Sequence, residues 1–257
     1  DITALSMAIR SDKLDIVQYL LDRGANPNVV PKNWKTYAKR EDEVCPVALK
    51  KALKYGCGAA IGLLIQAGSR VPEIFPRKKG VYSTPLTYLF SQPKDQLLET
   101  FVSLKALKDH VDVSVCDSFG RSALSYAIEN DTSDYILEYL MDDKINNKED
   151  CFSKTPMDYA YENRNFRAME LLYLKGVSLA HHVIPTTKNP LLIDAALNND
   201  TEMVDFVLKH NPSLLQKNKE GKTLLDYLPQ ENVFLQKLKD LQQLQLKKAA
   251  AHLKQKD

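Results

Sequence analysis

Cysteine is scarce in this chain. The four cysteines stand at 45, 57, 116 and 151, and no two form a C-x-x-C pair. Neither a zinc site nor a disulfide framework is indicated, and a reducing intracellular compartment, cytoplasm or nucleus, is expected. An excess of one charge is lacking too. Lys and Arg total 35 against 33 Asp and Glu, a net charge of +2, which gives no global reason to expect nucleic acid. No apolar run approaches the roughly 18 residues that a membrane span requires, and the first residues show no signal-peptide pattern. Catalytic signatures are missing as well: there is no G-x-x-x-x-G-K-[ST], no G-x-S-x-G and no H-E-x-x-H. The histidines, His110, His181, His182, His210 and His252, share no evident surface with a Ser or Cys and a carboxylate. The expectation is a protein that is not an enzyme and needs no cofactor or metal.

What the sequence has instead is a returning phrase: a small or turn residue, then Leu, then Ala three further on. It reads Thr3-Ala4-Leu5-Ser6-Met7-Ala8, Ser122-Ala123-Leu124-Ser125-Tyr126-Ala127 and Thr155-Pro156-Met157-Asp158-Tyr159-Ala160. Taking the first residue of each phrase as reference gives positions 3, 47, 84, 122, 155, 190 and 223, with successive differences of 44, 37, 38, 33, 35 and 33. A period near 33 means stacked helical units, none of which can bury its apolar face alone. In the first unit the spacing predicts a helix over Ala4–Arg10 and a second over Leu14–Asp22. Gly24 closes it at a position that needs positive φ. Leu14, Ile16, Val17, Leu20 and Leu21 should bury one face of that second helix. The same frame puts Ala168, Met169, Leu171 and Leu172 in the core of the fifth unit and closes it with Gly176. At Thr84 the second helix is longer, from about Asp95 to Lys108, and the last frame breaks at Pro229.

The junctions between units resemble those of the ankyrin repeat family. Val111-Asp112-Val113-Ser114-Val115-Cys116-Asp117-Ser118-Phe119-Gly120-Arg121-Ser122-Ala123-Leu124 is similar to the ankyrin pattern A-D-V-N-A-x-D-x-x-G-x-T-P-L, and so is the stretch from Asn211 to Leu224. Seven such units cover residues 1–241. The resemblance implies an all-α, right-handed solenoid of helix-turn-helix units with hairpin fingers, capped by a long C-terminal helix. The chain departs from the family in two ways. The family histidine after the leucine is replaced everywhere, by Ser6, Lys50, Thr87, Ser125, Asp158, Ile193 and Asp226. Glycines are lost at His110, Lys144, Ser153 and Asn211, where positive φ would cost roughly 1 kcal/mol or more.

In such a family the fingers and the outer part of each first helix form a concave binding side. Three residues before the reference stand Val44, Val81, Phe119, Phe152, Thr187 and Glu220. Phe119 and Phe152 therefore fall on consecutive fingers, with Arg121 and Lys154 at matching places one residue before the reference. Paired exposed aromatics suit a protein interface. On the first helices the frame gives Tyr55 and a repeated pair, Glu129 with Asn130 and Glu162 with Asn163, a mildly acidic strip. Two insertions fall in the first half. The first, about Val29 to Val44, contains Trp34 and Tyr37 among lysines. The second, Arg70 to Tyr82, contains Phe75, Arg77, Lys78 and Lys79. As neighbouring fingers they would make a basic, partly aromatic edge for an acidic or phosphorylated segment, and Arg77-Lys78-Lys79 also resembles a minimal nuclear-import cluster. Residues 231–257 read as one helix, capping the last unit to about 241 and continuing as a protruding basic tail over 242–257.

The resulting expectation is a monomeric adaptor that binds another protein, with no membrane span. The alternative is the recruiting part of a larger enzyme, since the sequence begins without Met and inside a repeat phrase, as a piece of a longer chain would. In style the degenerate repeats are similar to ankyrin effectors that intracellular pathogens send into host cells, where the location would be host cytoplasm.

Overall fold

The computed structural model describes residues 2–36, 38–78, 80–92, 97–141, 147–179, 182–210, 214 and 216–227, with 238–240, 242–243 and 246–247 in the tail. The expectations placed on Asp95, Lys144, Asn211 and Pro229, and most of those on the tail, lie outside the described residues. Within the tail, residues 238–240 are helical and Leu238 is buried.

The returning phrase is a helix start. Thr3, Thr84, Ser122 and Thr155 are the N-caps of α1 (Ala4–Arg10), α5 (Pro85–Phe90), α7 (Ala123–Glu129) and α9 (Pro156–Glu162), and each side chain accepts the N–H three residues on. The residues in the missing-histidine position answer it. Ser6, Thr87 and Asp158 accept the N–H of their own N-cap residue, closing reciprocal capping boxes. Pro85 and Pro156 occupy the first helical position, where a missing N–H costs nothing. One unit differs. The helix α3 (Val47–Tyr55) begins one residue earlier than the frame, behind Pro46. Its core positions Ala48, Leu49 and Ala52 keep the register of the phrase.

The second helices are α2 (Leu14–Asp22), α4 (Gly58–Gln66), α6 (Leu97–Leu107), α8 (Asp134–Leu140) and α10 (Phe166–Leu174). The chain divides into two compact units, Asp1–Leu171 and Leu172–Asp257. In the first, α1 packs on α3, α3 on α5, α5 on α7 and α7 on α9, while α2 packs on α4 and α4 on α6. In the second, α11 (Leu191–Leu197) packs on α12 (Thr201–Lys209) and on the short 3-10 turn Leu224–Asp226. The fold is the all-α ankyrin solenoid class; among the described residues it carries one short hairpin, β1 (Phe75–Lys78) and β2 (Val81–Ser83), pairing Phe75 with Ser83 and Pro76 with Tyr82. Leu171 and Leu172 are both buried, as the frame requires.

Three expectations are corrected. On α2 only Val17 is buried, whereas Leu14 and Ile16 are 37% and 44% exposed: α2 packs on α1 and α4, and among the described residues no second helix covers its other flank. Val44, expected at a fingertip, is a core residue at 3% exposure, and Phe75 is fully buried against Tyr88. His110 carries no left-handed strain: α6 continues into a 3-10 turn over Lys108–His110 and the chain leaves it extended at Val111. Ser153, by contrast, does stand at φ 57°, in the finger place where the neighbouring unit has Gly120 at 75°.

Candidate functional site

Each middle finger is built on one acid. Asp117 Oδ1 accepts the N–H groups of Phe119 and Arg121, at 2.9 and 3.1 Å. Asp150 Oδ1 does the same for Phe152 and Lys154, at 2.8 and 3.0 Å. The other carboxylate oxygen of each receives a tyrosine hydroxyl from the first helix behind the finger: Tyr126 to Asp117 at 2.8 Å and Tyr159 to Asp150 at 2.6 Å. In the second compact unit Asn218 Oδ1 accepts the N–H groups of Glu220 and Lys222 in the same way, but here its amide Nδ2 donates to the Tyr227 hydroxyl. Burial and the bond to Asp117 push the Tyr126 hydroxyl well above the ordinary phenol range. Burial and the bond to Asp150 do the same for Tyr159.

Adjacent fingers are tied through their backbones. The N–H of Cys151 donates to the carbonyl of Phe119 at 2.8 Å, and the N–H of Ser118 donates to the carbonyl of Tyr82 at 3.2 Å. Phe119 and Phe152 therefore stand on neighbouring fingers, as the frame placed them. Their exposures are 38% and 61%, so neither ring lies in the core.

The cations beside them are already engaged. Arg121 lies over the ring of Tyr126 at 3.9 Å and of Tyr159 at 4.4 Å, and its guanidinium meets Glu129 at 2.6 Å. Burial opposes its charge, but Glu129 and the two tyrosines hold its pKa above the usual arginine value. Lys154 repeats the arrangement less tightly, 2.6 Å from Glu162 and 5.4 Å from the centre of the Tyr159 ring. The acidic strip is thus neutralised by its own fingers. Asn130 donates to the carbonyl of Phe90 in the preceding unit, and Asn163 to the carbonyl of Tyr159. Sequence reasoning missed this cation–tyrosine column. The signal was present in the spacing: Tyr88, Tyr126, Tyr159 and Tyr227 each lie four residues after a reference position.

The two insertions do meet. Arg70 donates to the carbonyls of Glu41 and Val44 at 2.9 and 3.0 Å, and a cavity of about 570 Å³ between the insertions is lined by Lys35, Lys39, Glu43, Ile74, Pro76 and Tyr82 among others. The first insertion is two 3-10 turns, Trp34–Thr36 and Glu41–Glu43. Trp34 is half-buried with Lys35 over its ring at 5.7 Å. Arg77 and Lys78 are exposed on β1, and Arg77 reaches over the Tyr88 ring at 5.0 Å. Tyr55 is 40% exposed, with Lys51 and Lys54 at 6.0 and 5.7 Å from its ring. Tyr37 and Lys79 lie outside the described residues. Among the described residues no His, Cys, Asp and Glu cluster could hold a metal, and no helix is long and apolar enough to cross a membrane.

Comparison with known proteins agrees with this geometry. A model of ankyrin repeats in three copies matches residues 94–182, and a single ankyrin repeat model matches 1–32. No curated protein matches the sequence. Among solved structures, the human ASB11 ankyrin repeat domain superposes with a TM-score of 0.61 at 20% identity, over 93% of this chain and 98% of that one. The ankyrin repeat domain of Bcl-3, described as a unique member of the IkappaB protein family, gives 0.65 at 17% identity, over 93% and 97%. The ankyrin fold is typically a non-catalytic protein-binding scaffold. The capped first helices, the fingers hung on Asp117 and Asp150 and the matched repeat models together identify the chain as an ankyrin repeat protein.

Proposed function

We propose that this chain is a monomeric binding module that holds a partner protein along its fingertips and the exposed ends of its first helices. The observation that carries the reading is the pair Phe119 and Phe152, two exposed rings on fingers joined by the Cys151–Phe119 backbone bond. Aromatic anchors dominate protein interfaces because they remove large apolar area from water at little conformational cost. Rings that served only the fold would lie down against the adjoining finger. Arg121 and Lys154 form the base of the patch, since their charges are met by Glu129 and Glu162. The partner therefore presents an apolar side chain to the rings.

Cross-linking in cell lysate followed by footprinting tests the reading. The partner's footprint should cover both fingers. Phe119→Ala with Phe152→Ala should weaken its binding by about 2 kcal/mol or more, roughly thirtyfold, with the melting temperature nearly unchanged. Unaltered affinity together with a lowered melting temperature would assign both rings to the fold.

A further inference from the structure

Of the two positions that are acidic on the middle units, one is basic on the second unit and the other on the third. Seven residues after the reference, where Glu129 and Glu162 stand, the second unit has Lys54. Five before the reference, where Asp117 and Asp150 stand, the third has Lys79. Tyr88 holds the place of Tyr126 and Tyr159, yet no described residue accepts from its hydroxyl, while theirs are bonded to the finger acids. Lys50 holds the place of Thr87, Ser125 and Asp158, a place that is buried in those units. It thus sits half-buried where a small capping residue belongs.

Lys50, Lys54 and Tyr88 meet at one concavity of about 240 Å³, lined also by Pro31, Val47 and Lys51. Arg77 adds a fourth cation from β1, over the Tyr88 ring. No carboxylate of a described residue pairs with any of the four cations. Burial, together with the nearby charges of Arg77 and Lys51, presses the Lys50 ammonium towards losing its proton. The Cys45 thiol beside it does not compensate: burial pushes it up to about 12, so it stays neutral.

We infer that this pocket between α3 and α5 binds a phosphorylated side chain of the partner segment. The inference rests on the protein-binding reading above and adds the chemistry of one contact. A dianion with three acceptor oxygens can be shared among several lysine ammoniums, which bind phosphate as point charges. It can also accept the Tyr88 hydroxyl bond that no finger acid takes. A single carboxylate would leave most of the cluster's charge unmet.

The test uses the full 257-residue chain and three degenerate peptide mixtures that differ only in a central phosphoserine, serine or glutamate. Binding is followed by amide chemical-shift changes. The phosphoserine mixture should shift resonances around Lys50, Lys54 and Tyr88 and bind at least about tenfold more tightly than the other two, with strong salt dependence. Lys51→Gln with Lys54→Gln, both on the accessible rim, should weaken it about tenfold or more. Tyr88→Phe should weaken it less. Equal binding of the glutamate mixture would overturn the phosphate assignment in favour of a plain acidic segment. Binding to phosphoinositide vesicles, without the peptide response, would replace it with a membrane surface. No response to any probe would also overturn it. The Phe119→Ala, Phe152→Ala variant should keep the phosphopeptide response, so loss of the pocket and loss of the aromatic patch read out separately.

Discussion

The Tyr159 hydroxyl donates to Asp150 at 2.6 Å, joining helix α9 to the finger that carries Phe152. Asp150 is 9% exposed, and its other oxygen holds the N–H groups of Phe152 and Lys154. One buried carboxylate therefore sets both the turn and its distance from the helix. Tyr126 and Asp117 repeat the bond beneath Phe119 at 2.8 Å. The exposed rings are carried by a framework that contains no exposed ring itself, which is why the patch and the fold can be tested independently.

This framework predicts an alkaline weakness. Both hydroxyls have pKa values raised above the ordinary 10.0, first by burial and then by the bonded aspartates. In the unfolded chain they ionise near their ordinary value, while in the folded chain they keep their protons. Their contribution is fully present below about pH 10 and is lost as pH rises through the gap. Stability followed by urea midpoint should fall above about pH 10. Tyr126→Phe with Tyr159→Phe should flatten that fall. At neutral pH each replacement should cost about 1.5–3 kcal/mol, the range for a bond to a charged group. A double variant whose stability falls as steeply as the parent's would refute the assignment.

Arg121 and Lys154 occupy matching places but should behave differently. Arg121 has an 11% exposed side chain between two tyrosine rings, while Lys154 is 26% exposed and touches one. Arg121→Ala should cost about 2–3 kcal/mol, from two stacking contacts and a Glu129 left unpaired. Lys154→Ala should cost under about 1 kcal/mol, as exposed pairs do. Thermal melts of the two variants check the order, and equal losses would show that the stacking contributes little.

Much of the fold was legible because the phrase that repeats is itself a capping device: Thr3, Thr84 and Thr155 announce helix starts by chemistry that needs no tertiary partner. Phe119 and Phe152 were placed on adjacent fingers by counting alone. What the pattern did not reveal was compensation across elements. Nothing local to Glu129 indicates that Arg121, eight residues earlier, will neutralise it. Val44 and Phe75 were misread as surface because an insertion carries no period, and a hairpin or a 3-10 turn decides which of its side chains turn inward. In sequence the histidine position reads only as an absence, although Ser6, Thr87, Asp158 and Asp226 close capping boxes there and Lys50 at the same place lines a pocket.

Lys50 should be a stability defect. Its pKa is lowered by burial and by Arg77 and Lys51. Below its folded pKa the charged form penalises the fold in full, and the penalty fades as pH rises towards the unfolded value of 10.5. Lys50→Met keeps the length of the side chain and removes the charge. It should raise the melting temperature at neutral pH, and the gain should vanish above about pH 10.5, where both states of the parent are neutral. It should also lose the phosphopeptide response, trading function for stability. A lowered melting temperature at pH 7 would mean that the ammonium is held by favourable contacts after all.

Two glycines on α4 should respond to the same substitution with opposite signs. A Cβ on Gly58 would fall 2.5 Å from the backbone nitrogen of Ser103 and 2.7 Å from Val102 Cβ, on the facing helix α6. Neither neighbour is the far end of a flexible side chain, so the helices must part. Overpacking of this kind costs about 1–3 kcal/mol, more than alanine's helical advantage of about 0.8–1 kcal/mol over glycine returns. Gly58→Ala should therefore lower stability and loosen the α4–α6 contact, with faster amide exchange in both helices. At Gly62, four residues along the same helix, a Cβ meets nothing within 4 Å. Gly62→Ala should keep the helical gain, raising stability by about 0.5–1 kcal/mol, or roughly 2–4 °C in melting temperature per kcal/mol for a chain of this size. Comparing the two variants removes propensity from the question, since both make the same chemical change on one helix. If Gly58→Ala proved as stabilising as Gly62→Ala, the close approach of α6 to the start of α4 would be wrong, and with it the stacking of the second helices.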